Sequence, residues 1–481
     1  MNPKTVARLT ARVLALVAGL MLAPVALALV DGDGDAIFAY LASLVAVLLA
    51  AVSLNVAGRG APDSVHRKDA IGIVGLCWLM LGIFGALPFL LEGSISHPAS
   101  AIFEAVSGFT TTGATVISDI DNLSRATNLW RCLSHWIGGM GIVVLFVAVF
   151  PTLGVGAKHL FRSEVAGPIT SGLRPKIKQT ALALWWIYGG MTVLCALLLL
   201  LAGMPVFDAV CHAFSTLGTG GFSTRSASVG YYKSPAVDWI IIVFMLIAGL
   251  NFGLYYEVVR GRARAVWENY EVRFYLLMNV VIIAVVLLLN FDRYDSTLSG
   301  LRFASFQTLA VTTSTGFMTE DFDAYPNFAR YLLFLAMFIG GCAGSTAGGI
   351  KVSRVYALLK LATRELRLVV QPQAVISVRL GRTAISPPII HSILVFVASY
   401  FVIFGVASGV MVAMGLDLLS GMSAVVACLS SIGPGLAKVG PTMNFEFIPP
   451  LGKLVLSFCM IAGRLEIFVL LAILTPEAWR R

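Results

Sequence analysis

Charge is scarce in this chain. Lys, Arg, Asp and Glu make up only 12% of its 481 residues, against roughly a quarter in soluble domains, which excludes a water-solvated globule. Catalytic signatures are missing as well. No His-Glu-x-x-His, no Gly-x-Ser-x-Gly and no paired carboxylates occur in the apolar core segments, so no enzymatic role is expected. Seven cysteines (Cys77, Cys132, Cys195, Cys211, Cys342, Cys428 and Cys459) include no Cys-x-x-Cys pair, which argues against a disulfide framework and a zinc site. The six histidines lack metal-ligand spacing, and His212 reads as a packed or capping residue. The net charge of +9 comes without an aromatic-interleaved basic patch, so nucleic acid is not an expected partner.

What fills the chain instead is apolar. Hydrophobic residues make up 58% and the mean hydropathy is +0.88, the composition of an integral membrane protein. Lys4, Arg8 and Arg12 precede an apolar run too long for a signal-peptide core, so an uncleaved first membrane helix is expected. Segments 10–30 and 37–57 each approach the ~20 residues that a helix needs to cross the hydrocarbon core. They flank the acidic tip Asp31-Gly-Asp-Gly-Asp35 and form an expected two-helix hairpin.

A short polar stretch, Thr110-Thr111-Thr112-Gly113, then appears and returns at a roughly hundred-residue period. The second copy is Gly218-Thr219-Gly220-Gly221 and the third Thr313-Ser314-Thr315-Gly316. The fourth is read as Ile432-Gly433-Pro434-Gly435, with Gly435 standing where Gly113 stands. A fixed period of this kind means repeats. Each repeat reads as helix, re-entrant half-helix with loop, helix. The expected pieces are 70–92, 99–110 and 128–152; 181–203, 207–218 and 236–259; 273–291, 301–313 and 327–360; 389–413, 420–432 and 448–475. Non-helical backbone at membrane depth is tolerated where protein or a water-filled path surrounds it. Ser100, Asp208 and Ser420 are expected as N-caps of half-helices. A dehydrated cation needs oxygens in place of its water, and rings of backbone carbonyls supply them.

These four loops resemble the filter loops of the Trk/Ktr/HKT potassium transporters, and the resemblance runs over nearly the whole chain. It implies an all-α integral membrane protein with four tandem M1-P-M2 repeats around a pseudo-fourfold pore, preceded by the N-terminal hairpin. The corresponding division is 1–60 for the hairpin, then 61–165, 166–265, 266–380 and 381–481 for the repeats. The hairpin favours the Trk type over the shorter, Na+-dependent Ktr-type subunit. A secondary carrier is the alternative from another class, but carriers often use inverted repeats and a midplane acidic site. Here the repeats run in one sense and the core has few carboxylates. The resemblance implies K+ as the transported ion, no cofactor in this chain, homodimers in membrane lipid, and a TrkA-like cytosolic ring that carries the regulatory nucleotide. Passive conduction and proton-coupled symport stay open.

The last helix of the third repeat is interrupted by Gly340-Gly341-Cys-Ala-Gly344-Ser345-Thr346-Ala-Gly348-Gly349-Ile-Lys351. Five glycines weaken a helix by about 1 kcal/mol each, so an unwound loop is expected. It is not a nucleotide-binding loop, because Ile350 separates Gly349 from Lys351. Arg464 lies deep in the last apolar segment, where a charge is costly and faces a cavity or partner; Glu466, two positions on, points elsewhere. The resemblance implies that this loop gates the pore and that Arg464 works against it.

Charge placement fits the positive-inside rule. With the N-terminus in the cytoplasm of a bacterial inner membrane, 24 of the 34 basic residues fall inside. They include Lys158, Arg162, Arg174, Lys176, Arg382, Arg480 and Arg481. Nine fall outside, among them Arg131 and Lys453. Asp31, Asp33, Asp35, Asp119, Asp121, Glu320, Asp321 and Asp323 cluster on the outer side, either drawing cations by their field or simply solvated.

Overall fold

Backbone groups in hydrocarbon must be satisfied internally, and apolar segments of this composition therefore fold as helices. The computed structural model describes residues 1–62, 65–141, 177–381 and 383–479. Among them the chain is helical apart from loops and a two-residue hairpin, in which Arg379–Leu380 pairs antiparallel with Thr383–Ala384.

Helices α1 (Pro3–Leu20), α2 (Leu22–Asp31) and α3 (Gly34–Ala57) form the N-terminal hairpin. It packs on the first repeat, whose first span is α4 (Arg67–Gly85) with α5 (Leu87–Glu92). An ion pair of 2.6 Å between Asp31 and Arg125 fastens its tip. The first half-helix is α6 (Pro98–Phe109) and the inner helix α7 (Arg125–Met140). The second repeat comprises α8 (Ile177–Leu201), α9 (Val206–Leu217), α10 (Pro235–Ala248) and α11 (Phe252–Val259). After the short α12 (Arg264–Glu268), the third comprises α13 (Tyr270–Leu289), α14 (Thr297–Thr312), α15 (Asn327–Ala336) and α16 (Val352–Val370). The fourth comprises α17 (Pro387–Ala413), α18 (Leu418–Leu429), α19 (Pro450–Arg464) and α20 (Phe468–Leu474), followed by α21 (Pro476–Trp479).

Six segments among the described residues are long and apolar enough to span a membrane, and a seventh if the bent pair α10–α11 is one span. The hairpin covers the first repeat's outer span, 61% of whose most apolar stretch is buried. The corresponding stretches of α8, α13 and α17 are 22%, 28% and 17% buried. Three repeats therefore present apolar side chains outward, such as Leu197, Val280 and Val402, and the first is sheathed.

Two expected inner helices are broken rather than continuous. The stretch 236–259 bends by 94° between α10 and α11. There Gly249 lies under Tyr275, whose hydroxyl would sit 2.4 Å from an added Cβ, and the Asn251 side chain caps α11 by accepting from Gly253. The stretch 448–475 breaks after Arg464, where Glu466 and Ile467 both take positive φ, 55° and 62°. In the third repeat the interruption is present, between Ala336 and Val352. The first inner helix ends at Met140, and Gly141 has φ +83°. The rest of the expected 128–152 span lies outside the described residues, as do Lys158, Arg162, Arg174, Lys176, Arg382, Arg480 and Arg481.

The expected N-caps also shift. His97 and Asp417 cap α6 and α18, Ser296 caps α14 in a capping box, and α9 begins after Pro205. Ser100, Asp208 and Ser420 lie inside the first turns. Pro98, with φ preset for a helix, starts α6 before Ser100, and Ser420 donates its N–H to the Asp417 carboxylate at 3.0 Å.

Substituting an aspartate N-cap by alanine costs about 1 kcal/mol, so Asp417→Ala is expected to lower the melting temperature of the purified protein by a few degrees. Hydrogen bonds from Ser420 hold the Asp417 carboxyl below its ordinary value. Its stabilisation is therefore present at neutral pH and fades as pH falls through that depressed value. Thermal scans at falling pH check this: the gap between wild type and Asp417→Ala should narrow as the pH drops below the ordinary carboxylate range.

Candidate functional site

The four half-helices end in the same way. Phe109, Leu217, Thr312 and Leu429 close them, and the next residues are Thr110, Gly218, Thr313 and Ser430. One residue later, Thr111, Thr219, Ser314 and Ser431 all adopt positive φ, between 53° and 56°. Two residues beyond those, Gly113, Gly221, Gly316 and Gly433 are positive again, at 79°, 79°, 76° and 97°. Matching backbone bonds pin each loop to its own half-helix: Thr112 to Ser107, Gly220 to Ser215, Thr315 to Ala310 and Ile432 to Ala427, at 2.8–2.9 Å.

The loops meet in a closed ring. A Cβ on Gly113 would lie 2.0 Å from the carbonyl oxygen of Gly220, and one on Gly221 would lie 2.0 Å from that of Thr315. On Gly316 it would lie 1.9 Å from the carbonyl of Ile432, and on Gly433 2.7 Å from that of Thr112. Each glycine thus faces the residue before the next repeat's glycine, and the fourth faces back to the first.

This geometry corrects the fourth loop. Its register is Ser430-Ser431-Ile432-Gly433, two residues earlier than the spacing of glycines indicates. Gly435 is absent from the positive-φ set, and its would-be Cβ meets Val439 and Ser423 rather than a neighbouring loop. Pro434 keeps one foot in the ring, its Cδ 2.9 Å from the Cβ position of Gly316.

Behind the ring, each half-helix holds the segment that leaves its loop. Glu104 accepts from Thr115 Oγ1 at 3.0 Å and from Val116 N at 2.9 Å. His212 Nε2 meets Ser223 Oγ at 3.0 Å, Gln307 donates to Thr319 at 3.0 Å, and Ser423 Oγ accepts from Leu436 N at 3.1 Å. His212 is fully buried and its other ring nitrogen meets the Asp208 carbonyl, so it is the packed residue expected.

Beneath the third and fourth loops lies the glycine-rich segment between α15 and α16. Gly348 N donates to Ser314 Oγ at 2.6 Å, and a Cβ on Gly348 would lie 2.2 Å from the Ser430 carbonyl. Gly340 N bonds Ile350 O, and the Gly341 carbonyl accepts from Val352. Gly344 and Gly349 take positive φ, 78° and 67°. Ser345 Oγ donates to Cys342 O, and the Lys351 ammonium, buried, donates to Ala347 O. The broken helix of the second repeat docks here: Cys342 N bonds Gly249 O and Phe252 N bonds Gly344 O. Glu271 accepts from Ala343 N at 2.7 Å and Ser353 N at 3.0 Å. Arg464 donates to Thr346 O at 2.7 Å, to Gly139 O at 2.8 Å and to Gly138 O. It therefore ties the loop and the first inner helix to the last one. Glu466 pairs with Arg354 at 2.7 Å instead.

Residues 38–478 match the family model TrkH, described as a cation transport protein. The chain belongs to the TrkH family. It is 40% identical to the Trk system potassium uptake protein TrkH of Salmonella typhimurium and 39% identical to that of Escherichia coli, each over 100% of both chains. Its structure superposes on the crystal structure of the potassium transporter TrkH from Vibrio parahaemolyticus with a TM-score of 0.90 at 37% identity, over 100% of both chains.

Within this TrkH-family fold, Arg131 and Lys453, counted to the outer side, are both buried. Arg131 is 1% exposed beside Glu104, and Lys453, 5% exposed, donates to Ser100 Oγ at 2.9 Å. Of the outer acids, Asp31, Asp121 and Asp323 are in ion pairs, Asp33 and Asp321 cap helical turns, and Glu320 accepts from Tyr294 and Tyr325. Glu104, Arg131, Gln307 and Glu271 went unread as site residues; the signal available was a charge or amide inside an apolar segment, which is costly unless partnered.

Serine at position 433 would have to adopt φ near +97° against the Thr112 carbonyl, whereas at position 435 it would press only on side chains at about 3 Å and the local backbone of Ser423. Gly433→Ser is expected to cut cation flux at least about ten-fold, a barrier change of roughly 1.4 kcal/mol, with Gly435→Ser less damaging. Flux into liposomes checks the order; the reverse order would restore the later register.

Proposed function

We propose that this chain is the membrane subunit of a potassium uptake system, passing K+ along the axis of the four-loop ring. The supporting observation is the ring itself: four backbone loops from one chain, each with its glycine against the next loop's carbonyl. In this reading the carbonyls of Thr110–Gly113, Gly218–Gly221, Thr313–Gly316 and Ser430–Gly433 replace the water shell of the ion. The half-helices end at the loops, so their C-terminal partial negative charge favours a cation.

The glycine-rich segment 340–351 acts as the gate. It lies against Ser314 and Ser430, and its small residues permit rearrangement without a side chain to clear. Arg464 holds it through the Thr346 carbonyl and places a positive charge in the path, which opposes cations until it moves. Opening breaks the contact between Arg464 and Thr346 and carries Gly348 away from the ring.

The chain works as a multi-pass protein of the bacterial inner membrane, with its N-terminus cytoplasmic, as the basic excess on that side supports. It assembles as a homodimer and receives a TrkA-like cytosolic ring, whose nucleotide sets the position of the gate. The N-terminal hairpin at 1–60 and the four repeats at 61–165, 166–265, 266–380 and 381–481 are its functional units. The relatives' names support this assignment, since they belong to Trk system potassium uptake proteins.

The test is K+ and Rb+ flux into liposomes holding the purified protein, with Na+ as competitor. Selective flux that Gly113→Ser weakens by about ten-fold or more is the expected result. Flux indifferent to both the cation and Gly113 would overturn the filter. Arg464→Gln removes the charge and the clamp on Thr346, so resting K+ flux is expected to rise severalfold; an unchanged flux would remove Arg464 from the gate.

A further inference from the structure

The four loops are buttressed by unlike chemistry. Gln307 donates to Thr319 behind the third loop, whose exit also takes a hydrogen bond from Met318 N to Ser228. Behind the fourth, Ser423 accepts from Leu436 N and the Asp323 carboxylate accepts from Ala437 N at 3.1 Å. The first and second share a charged clamp. Arg131, on α7, pairs through Nε with Glu104 of α6 at 2.9 Å, and both side chains are wholly excluded from solvent. Its Nη2 donates to Thr115 Oγ1 at 3.3 Å, two residues past Gly113. Its Nη1 donates to Ser223 O at 3.3 Å, two residues past Gly221, and to Asn128 Oδ1 at 3.2 Å. The guanidinium also lies 4.1 Å from the centre of the Phe222 ring, and His135 stacks on that ring.

A single planar fork therefore fixes the exits of two adjacent loops relative to each other. Lysine cannot reproduce this, because its ammonium is a point donor without the planar fork. We propose that Arg131 is a positioning residue for cation selectivity, holding the first two loops in one register, while Glu104 cancels the guanidinium charge that would otherwise repel the permeating ion. The inference rests on the ring's acting as the filter. It divides the ring into one half whose two loop exits share a single guanidinium, repeats one and two, and another whose exits are held separately, repeats three and four. The glycine-rich segment touches Ser314 and Ser430, both in the half without the shared guanidinium.

Charge and geometry are separable. Arg131→Lys keeps the charge beside Glu104 and loses the bridge to Ser223. Glu104→Gln keeps a hydrogen-bond acceptor and leaves the guanidinium uncompensated, a costly state for a buried charge. Glu104→Gln with Arg131→Gln removes both charges.

The experiment measures K+ and Na+ flux in liposomes for wild type and these variants, with folding followed by size-exclusion chromatography. Arg131→Lys is expected to retain K+ flux and to raise Na+ flux relative to K+ by about ten-fold, which corresponds to about 1.4 kcal/mol. Glu104→Gln is expected to depress flux of both cations. The double variant is expected to recover flux without recovering selectivity, and it carries the test if Arg131→Lys does not fold. Wild-type selectivity in the folded single or double variant would overturn the positioning role and leave the filter standing. An unselective wild type would overturn the filter itself, and the positioning role with it.

Discussion

In each of the four loops, a carbonyl oxygen occupies the space that a Cβ on the neighbouring loop's glycine would need. Gly113, Gly221 and Gly316 leave 1.9–2.0 Å for that atom and Gly433 2.7 Å, far inside van der Waals contact. The rest of the structure serves this approach. Half-helices deliver the loops, inner helices back them, and hydrogen bonds in which Glu104 and Ser423 accept, Gln307 donates and His212 meets Ser223 hold the departing segments. Left-handed backbone at Thr111, Thr219, Ser314 and Ser431 is uncommon for such residues. It persists because the surrounding bonds over-determine it.

The same economy of space governs the inner helices. A Cβ on Gly138 would fall 1.9 Å from the Phe109 carbonyl, and one on Gly463 1.9 Å from that of Leu429. Half-helix and inner helix thus touch backbone to backbone in the first and fourth repeats, and just beyond these contacts the helices end, at Met140 and Arg464. The carbonyls of Gly138, which also takes the Gly141 N–H, and of Gly139 accept from Arg464. A part-buried guanidinium and the backbone carbonyls at a helix end satisfy each other.

The helical architecture and three of the four loops were legible in the sequence, because Thr/Gly clusters at a regular period stand out against apolar runs. The fourth misled because Gly433-Pro434-Gly435 contains two glycines. The sign of φ, which picks Gly433, is set by neighbours rather than by residue type. Breaks marked by glycine clusters, such as 340–349, could be read. The break at Glu466 and Ile467 could not, since an isoleucine with positive φ opposes its own preference. The Glu104–Arg131 pair was half visible: each charge signals a partner, but the partner sits 27 positions away on another helix.

The N-terminal hairpin gives the molecule an uneven boundary with its surroundings. A bilayer that thins or thickens imposes a modest cost on every helix it wets. Here it meets the outer helices of the second, third and fourth repeats and is held off from the first, which the hairpin sheathes. A change in bilayer thickness therefore loads three repeats directly and reaches the first only through the hairpin packed on it.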